Sequence, residues 1–480
     1  MLITCSSSHK MSLGQKLLRT ASGNSRPLVP RVSGRSITTA SLVEFGQRHV
    51  TNGLSRLTED VIVSGEGSWV TTLSGRRLLD FSCGIGVTNL GHCHPRVSKA
   101  AADQCHTLVH GQASIGYHEP YLRLIERLLP IMPHPSLDSF FFTNSGSEAV
   151  EAALKMVRTI TRKQNIISMQ GAFHGRTFGA MAVTKSKTIY AHGFSPLMPG
   201  VLTAPFPYWH HFNAAPGADE SELVRASLYQ LELLLLQQTA PTDTAAIIIE
   251  PVLGEGGYVP APPAFLQGLR AICDKHGLLL IIDEVQCGFG RTGRMFYIEY
   301  SGVRPDIMVT AKGLANGFPL SAVVARKELT DQLKPGTMGG TYGGNAVSCA
   351  AAVAVADVFK EEKILDNVNA RSAELFEALI SVKADPAIGR HILDVRGQGL
   401  MVAIEFASPS HSTFDPAVKK STPANMAARV SKRCLEKGLL LLTTSVYETV
   451  RFIPPLNVSP EDLAKGIEIV KEAVEEIVHE

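Results

Sequence analysis

The segment from Leu278 to Gly317 constrains the fold more than any other. Five apolar residues in a row, Leu278, Leu279, Leu280, Ile281 and Ile282, give way abruptly to Asp283, Glu284, Val285 and Gln286. An unbroken run of that length lacks the alternation of a half-solvated strand and predicts a strand covered on both faces, as in a parallel sheet. A carboxylate at the end of such a strand must be solvated or face a cation, because burying it alone is costly. A second apolar run, Ile307, Met308, Val309 and Thr310, follows Gly288, Gly290 and Gly293 and ends in Ala311, Lys312 and Gly313. An acid and a lysine thus stand at the carboxyl ends of two strands, the edge where open α/β sheets bind ligands.

The surrounding pattern supports that sheet. Apolar runs at 140–143, 166–169, 245–249, 278–282, 307–310 and 320–324 alternate with helical spacing, which predicts a mainly parallel sheet covered by helices. We assign it to a large domain over 101–345. Residues 44–100, with alternating stretches punctuated by Gly65, Gly67 and Gly75, predict short antiparallel strands contributing to a smaller domain. Residues 346–480 complete that smaller α+β domain: an Ala-rich helix at 346–359, strands near 400–406 and 450–453, and a closing helix at 460–478. Helices are also predicted at 97–109 and 120–129, and a polar surface loop at 213–222.

Composition excludes several classes. A hydrophobic content of 45% describes a chain with ample core, and a net charge of +2 offers neither the basic excess expected of a nucleic-acid binder nor an acidic tail. The eight cysteines include no C-x-x-C pair, so neither a zinc site nor a disulfide framework is indicated. The nearest approach to a metal motif, His92-Cys93-His94, reads as a loop, and no metal is assigned. No apolar run approaches the roughly 20 residues of a membrane helix. Residues 1–43 carry Lys10, Lys16, Arg19, Arg26, Arg31 and Arg35, many serines and no acid. That composition suits a mitochondrial presequence cleaved between 35 and 43, and hence a matrix protein. A disordered basic tail is the alternative, with a cytoplasmic location.

The strand at 140–143 runs into Asn144, Ser145, Gly146, Ser147 and Glu148 and then an Ala-rich helix. A polar turn at a helix start leaves free N–H groups and the positive end of the helix dipole facing whatever binds there, and Ser145 and Ser147 add hydroxyls. A phosphate fits, although serine is also an ordinary helix cap. The turn is neither G-x-x-x-x-G-K-[ST] nor G-x-G-x-x-G, so ATP and dinucleotide readings lose their support.

Taken together, this cradle, Asp283 and Lys312 resemble the fold-type I pyridoxal-phosphate enzymes, and in detail the class III (omega) aminotransferases, particularly the 4-aminobutyrate aminotransferases. Matching stretches at 84–95, 143–149, 173–177, 250–257, 283–293, 305–317, 341–345 and 451–456 keep the family's order. The resemblance implies a large mainly parallel seven-stranded sheet domain with a smaller α+β domain, pyridoxal 5'-phosphate as cofactor, and a homodimer with a shared active site. It implies catalytic roles for Lys312, which would bond the cofactor aldehyde and then move the substrate proton, and for Asp283, which would keep the pyridine nitrogen protonated. Ser145, Gly146 and Ser147 would hold the phosphate, with Thr341 reaching across from the partner subunit. Phe173 and Val285 would lie on opposite ring faces, and Gln286 would bind the phenolic oxygen.

For substrates, the resemblance implies an amino donor and a 2-oxo acid acceptor, with Ile85, Arg176, Glu255 and Arg451 in the pocket. Arg451 would take glutamate's α-carboxylate, Glu255 would pair with Arg451 when no such carboxylate is present, and Arg176 would grip the distal carboxylate. The expected reaction is ping-pong transfer from a short omega-amino acid, such as 4-aminobutyrate, to 2-oxoglutarate. Ornithine or acetylornithine transamination, or an aminomutase on the same fold, is the alternative. The chain departs from many relatives at 337–340, Leu253 and Cys287, near the pocket or dimer seam.

Overall fold

The computed structural model describes residues 39–409 and 421–480. They fall into two units divided between Ser55 and Arg56. In the first, the described residues form the helix Thr39–His49, with Arg48 and His49 in its last turn, where cations suit the negative end of the helix dipole. Most of the proposed presequence lies outside the described residues.

The second unit is built on a seven-stranded sheet in the order Leu137–Thr143, Ser321–Arg326, Ile307–Thr310, Leu279–Asp283, Thr244–Ile249, Asn165–Met169 and Val201–Ala204. Leu279–Asp283 pairs in parallel with Ile307–Thr310 on one side and Thr244–Ile249 on the other. Only Ser321–Arg326 runs against its neighbours, between Ile307–Thr310 and Leu137–Thr143. The central strands are buried along almost their whole length, which accounts for their continuous apolar sequences. The strand in the organising segment lies one residue later than expected, so Asp283 is its last residue, registered against Val309.

Helix Gly146–Thr161 starts where strand Leu137–Thr143 ends. Ser145 is extended, with φ −143° and ψ 154°, and its hydroxyl accepts the Glu148 N–H. Small residues Ala149, Ala152 and Ala153 and the larger Val150, Leu154, Met156 and Val157 form the buried face, letting the helix lie close against the sheet. Arg162, in the left-handed region, ends it. Among the described residues, three smaller sheets complete the unit: the antiparallel pair Val252–Leu253 and Val259–Pro260, and two four-stranded sheets. In one, the antiparallel strands Ile62–Glu66, Trp69–Thr72 and Arg77–Asp80 gain a parallel neighbour from Leu439–Leu440. The other runs Ile392–Gln398, Met401–Phe406, Thr449–Phe452, Leu442–Thr444 and carries Arg451.

The predicted loop at 213–222 is shorter than expected. Asp219 accepts the N–H groups of Ser221 and Glu222 and starts helix Glu220–Gln237, so part of that polar stretch is a cap and first turn. The helix predicted over 97–109 spans Pro95–Cys105.

Candidate active site

The parallel register brings the ends of Leu279–Asp283 and Ile307–Thr310 to one edge, and the antiparallel strand begins there. Ser321 ties that edge to the cradle: its hydroxyl meets Thr143 Oγ1 at 2.6 Å and donates to the Ser145 carbonyl at 2.8 Å. A cavity of about 280 Å³ opens at this point, lined by Ser145, Gly146, Ser147, Phe173, Asp283, Val285, Gln286 and Lys312, among others. All but one of the residues proposed to hold the cofactor therefore share one cavity. The exception, Thr341, is exposed and lines a second cavity of about 500 Å³ with Met338, Glu151 and Lys155.

Lys312 follows the buried strand end with φ +47°, a left-handed conformation rare for a residue with a side chain and typical of functional strain. Burial lowers its amine from 10.5 to about 8; Arg451 adds to the effect, and the carboxylates of Glu255, Glu250 and Asp283 oppose it. An amine brought that near neutrality is available unprotonated for attack on a carbonyl.

Asp283, 3% exposed, accepts the Val285 N–H on Oδ1 at 3.0 Å and meets His174 Nδ1 at 2.7 Å on Oδ2. Within this chain the group that faces Asp283 is thus an imidazole. Facing a carboxylate, Nδ1 carries the proton, while Nε2 is buried with no hydrogen-bond partner among the described residues. A second acid, Glu250, accepts the N–H groups of Phe173 at 2.8 Å and Gly254 at 3.1 Å. Burial first, and the charge of Asp283 second, push its pKa well above the usual carboxylate range.

Around the cradle, Ser147 Oγ accepts the Arg176 N–H at 3.3 Å. Gly175 allows this approach: its φ is +130°, and a Cβ there would stand 2.3 Å from Ser147 Oγ. A Cβ on Gly146 would meet Val285 Cγ1 at 3.0 Å, so the helix start lies directly against Val285. Gln286 is oriented by Tyr258, whose hydroxyl donates to Oε1 at 2.8 Å and leaves the amide NH₂ as the donor end.

Glu255 and Arg451 hold each other; like Arg176 they are not among the residues lining that cavity, but both act on the Lys312 amine by charge. Arg451 Nη1 lies 2.5 Å from Glu255 Oε1, with Arg451 4% exposed. Burial alone raises the Glu255 carboxyl, but Arg451 and Lys187 overcome this and bring it to about 2. Its other oxygen meets Lys187 at 3.5 Å and accepts the Tyr190 hydroxyl at 3.2 Å. Arg176 is exposed, its guanidinium 4.8 Å from the Tyr190 ring centroid, and Tyr190 meets Phe173 edge-on at 5.1 Å. Ile85 is 41% exposed and does not line the cavity; Val87, two residues on, does. His92 turns to Asp80 and His94 to Glu362, and the described residues contain no cluster of His, Cys, Asp and Glu arranged to hold a metal.

His174, Glu250, Tyr258, Lys187 and Tyr190 are the site residues that sequence reasoning missed. His174 and Glu250 lay inside motif stretches already recognised, and the first is the immediate neighbour of Phe173. No pattern in the sequence points to the other three.

The residues present suit pyridoxal phosphate. A carboxylate has about four acceptor positions, and the two bonds Asp283 makes leave capacity for a ring N–H. The Gln286 donor end suits an anionic oxygen, the start of a 16-residue helix suits a phosphate, and Lys312 opens on the same cavity.

A parallel-rich sheet with an acid and a lysine at the ends of adjacent strands, and a helix start beside them, forms a site suited to amine and carbonyl chemistry on a phosphate-bearing cofactor. Comparison with known proteins makes the class definite. The family described as "Aminotransferase class-III" matches residues 55–474. The chain is 38% identical to a 5-aminovalerate aminotransferase of Pseudomonas aeruginosa, over 92% of this chain and 100% of that one. It is 37% identical to a 4-aminobutyrate aminotransferase of Escherichia coli, over 91% of this chain and 98% of that one. A crystal structure of a thermostable (S)-enantioselective omega-transaminase from Thermomicrobium roseum superposes with a TM-score of 0.82 at 30% identity, covering 92% of this chain and 100% of that one. The chain belongs to the class-III aminotransferase family and is a transaminase. Class-III aminotransferases depend on pyridoxal phosphate.

Proposed function

We propose that this transaminase holds pyridoxal 5'-phosphate at Lys312 and moves the amino group of a short omega-amino acid, of the size of 4-aminobutyrate or 5-aminovalerate, to 2-oxoglutarate. The observation that carries the reading is the buried Arg451–Glu255 pair beside Lys312. A guanidinium neutralised by its own carboxylate accepts an aliphatic chain nearby, and released it binds an α-carboxylate, so one site serves both half-reactions. The relatives named for 4-aminobutyrate and 5-aminovalerate support the same choice.

Ser145, Ser147 and the first N–H groups of helix Gly146–Thr161 would bind the phosphate, joined in a homodimer by Thr341 of the partner subunit. Phe173 and Val285 would fix the ring between them, and the Gln286 amide would donate to the phenolic oxygen. When bound, the cofactor supplies an aldehyde for amines and a ring that accepts electrons from the carbon being deprotonated. Asp283, held by His174, would face the ring nitrogen and favour a proton there. Lys312 Nζ would serve as the base that takes the proton from the amine-bearing carbon of the substrate. The acid-free composition of residues 1–43 supports import into the mitochondrial matrix.

The test is reduction of reconstituted protein with borohydride followed by peptide mapping, with a panel of amino donors scored by loss of cofactor absorbance. The label should lie on Lys312, Lys312→Ala should show no turnover, and 4-aminobutyrate or 5-aminovalerate should lead the panel. A label elsewhere, or an active alanine variant, refutes the role of Lys312. Ornithine or N-acetylornithine at the head of the panel refutes the substrate assignment.

A further inference from the structure

Glu255 is held on its two oxygens by different groups. Oε1 faces Arg451 at 2.5 Å, while Oε2 faces Lys187 Nζ at 3.5 Å and the Tyr190 hydroxyl at 3.2 Å. A carboxylate whose only task was to neutralise Arg451 would need no second cation. Lys187 lies just beyond helix Phe178–Val183, and its side chain is 24% exposed against 10% for Glu255. The resting cluster therefore holds two cations and one anion. An omega-amino acid that leaves Arg451 with Glu255 does not change that count. An α-carboxylate at Arg451 adds a second anion, and Glu255 must let go.

We propose that Lys187, with Tyr190, is a latch that keeps Glu255 compensated after it releases Arg451, so that Lys187 sets how readily the enzyme accepts substrates bearing an α-carboxylate. With Lys187 present, Glu255 and the incoming α-carboxylate each keep a cation of their own, Lys187 and Arg451. Without it, a largely buried carboxylate keeps only the Tyr190 hydroxyl, and part of glutamate's binding energy goes to stranding that charge. Lys187 is a positioning residue in this scheme: the group it touches is Glu255. The inference rests on the Arg451–Glu255 switch proposed above.

The experiment uses the reconstituted holoenzyme and single half-reactions, with L-glutamate alone or 5-aminovalerate alone, each followed by cofactor absorbance. Lys187→Met should raise the apparent Kd for L-glutamate roughly tenfold, between the effects of an exposed and a buried ion pair. The value for 5-aminovalerate should rise several-fold less than that for glutamate, because Arg451 stays paired with Glu255 in that half-reaction. Lys187→Arg should restore glutamate binding. In a Glu255→Ala background, Lys187→Met should have no further effect on glutamate, since nothing remains to latch. Equal losses for both substrates, failure of arginine to rescue, or a glutamate defect that persists without Glu255 would each overturn the latch. Arg451→Lys separates the two levels. Wild-type glutamate saturation in that variant removes the switch itself, whereas loss of glutamate there beside a neutral Lys187→Met removes the latch alone.

Discussion

Removing Arg451 should cost the fold as well as the reaction, and the loss should depend on Glu255. Arg451 is 4% exposed, on strand Thr449–Phe452, opposite Ala403 and Leu442. Its partner Glu255 sits in a loop stitched to the same region, with Thr444 donating to the Gly254 carbonyl and Ser445 N–H to the Glu255 carbonyl. The loop cannot simply carry the acid out to water. Glu255 is held at about 2 against an ordinary 4.5, which at about 1.4 kcal/mol per tenfold corresponds to about 3 kcal/mol at neutral pH. Breaking a buried pair by deleting one member costs about 3–5 kcal/mol. Because Lys187 still faces the other oxygen, Arg451→Met should fall near the lower figure.

The decisive measurement is a double-mutant cycle on the apo-protein, by urea unfolding of Arg451→Met, Glu255→Gln and the pair together, compared at equal m-value. The double variant carries no stranded charge, so its loss should be smaller than the sum of the single losses by about 2–3 kcal/mol. Glu255 is a carboxyl with a depressed folded-state pKa. Its contribution is present above about pH 4.5 and is lost as pH falls toward 2, a dependence that Arg451→Met should flatten. Single losses that add to within about 0.5 kcal/mol would refute the coupling, and with it the account of Arg451 as a cation kept paired with Glu255 until an α-carboxylate arrives.

Two further expectations concern the cavity itself. Burial lowers the Lys312 amine from 10.5 to about 8, so the unfolded chain binds more protons in that window and stability rises with pH across it. Lys312→Met should therefore stabilise the apo-protein by about 2–3 kcal/mol at pH 7. The gain should fade between pH 8 and 10.5, and a variant with wild-type urea midpoints at both ends would contradict it. Gly175→Ala would put a Cβ 2.3 Å from Ser147 Oγ at a φ of +130°. It should lose about 2–4 kcal/mol from backbone strain and crowding and weaken pyridoxal phosphate binding in a fluorescence titration. Unchanged stability and affinity would show that the turn has room to spare.

What could be read in advance divides along a physical line. Strands such as Thr244–Ile249 and Ile307–Thr310 are buried on both faces, so each residue is apolar for one reason and the run declares itself. Val201–Ala204 escaped because it is the edge strand, short and only partly covered. Helix Glu220–Gln237 was hidden by its own cap, since Asp219 and the acids after it look like loop chemistry until the N–H groups they satisfy are seen. Within the site, Lys312, Asp283 and the Ser145–Ser147 turn were legible because each stands where an element ends, and element ends can be found by pattern.

The residues that tune them could not be. His174 reaches Asp283 across 109 positions, Tyr258 reaches Gln286 across 28, and Lys187 reaches Glu255 across 68, each through tertiary contact with no periodicity behind it. These contacts act on charge and orientation and leave the reacting groups themselves in place. A chain can therefore keep the lysine and the acid of its class and still shift its substrate preference through one residue such as Lys187, which changes how many anions the pocket can balance. Removing the Lys187 charge should therefore shift the balance between substrates with and without an α-carboxylate while leaving Lys312 and Asp283 in place.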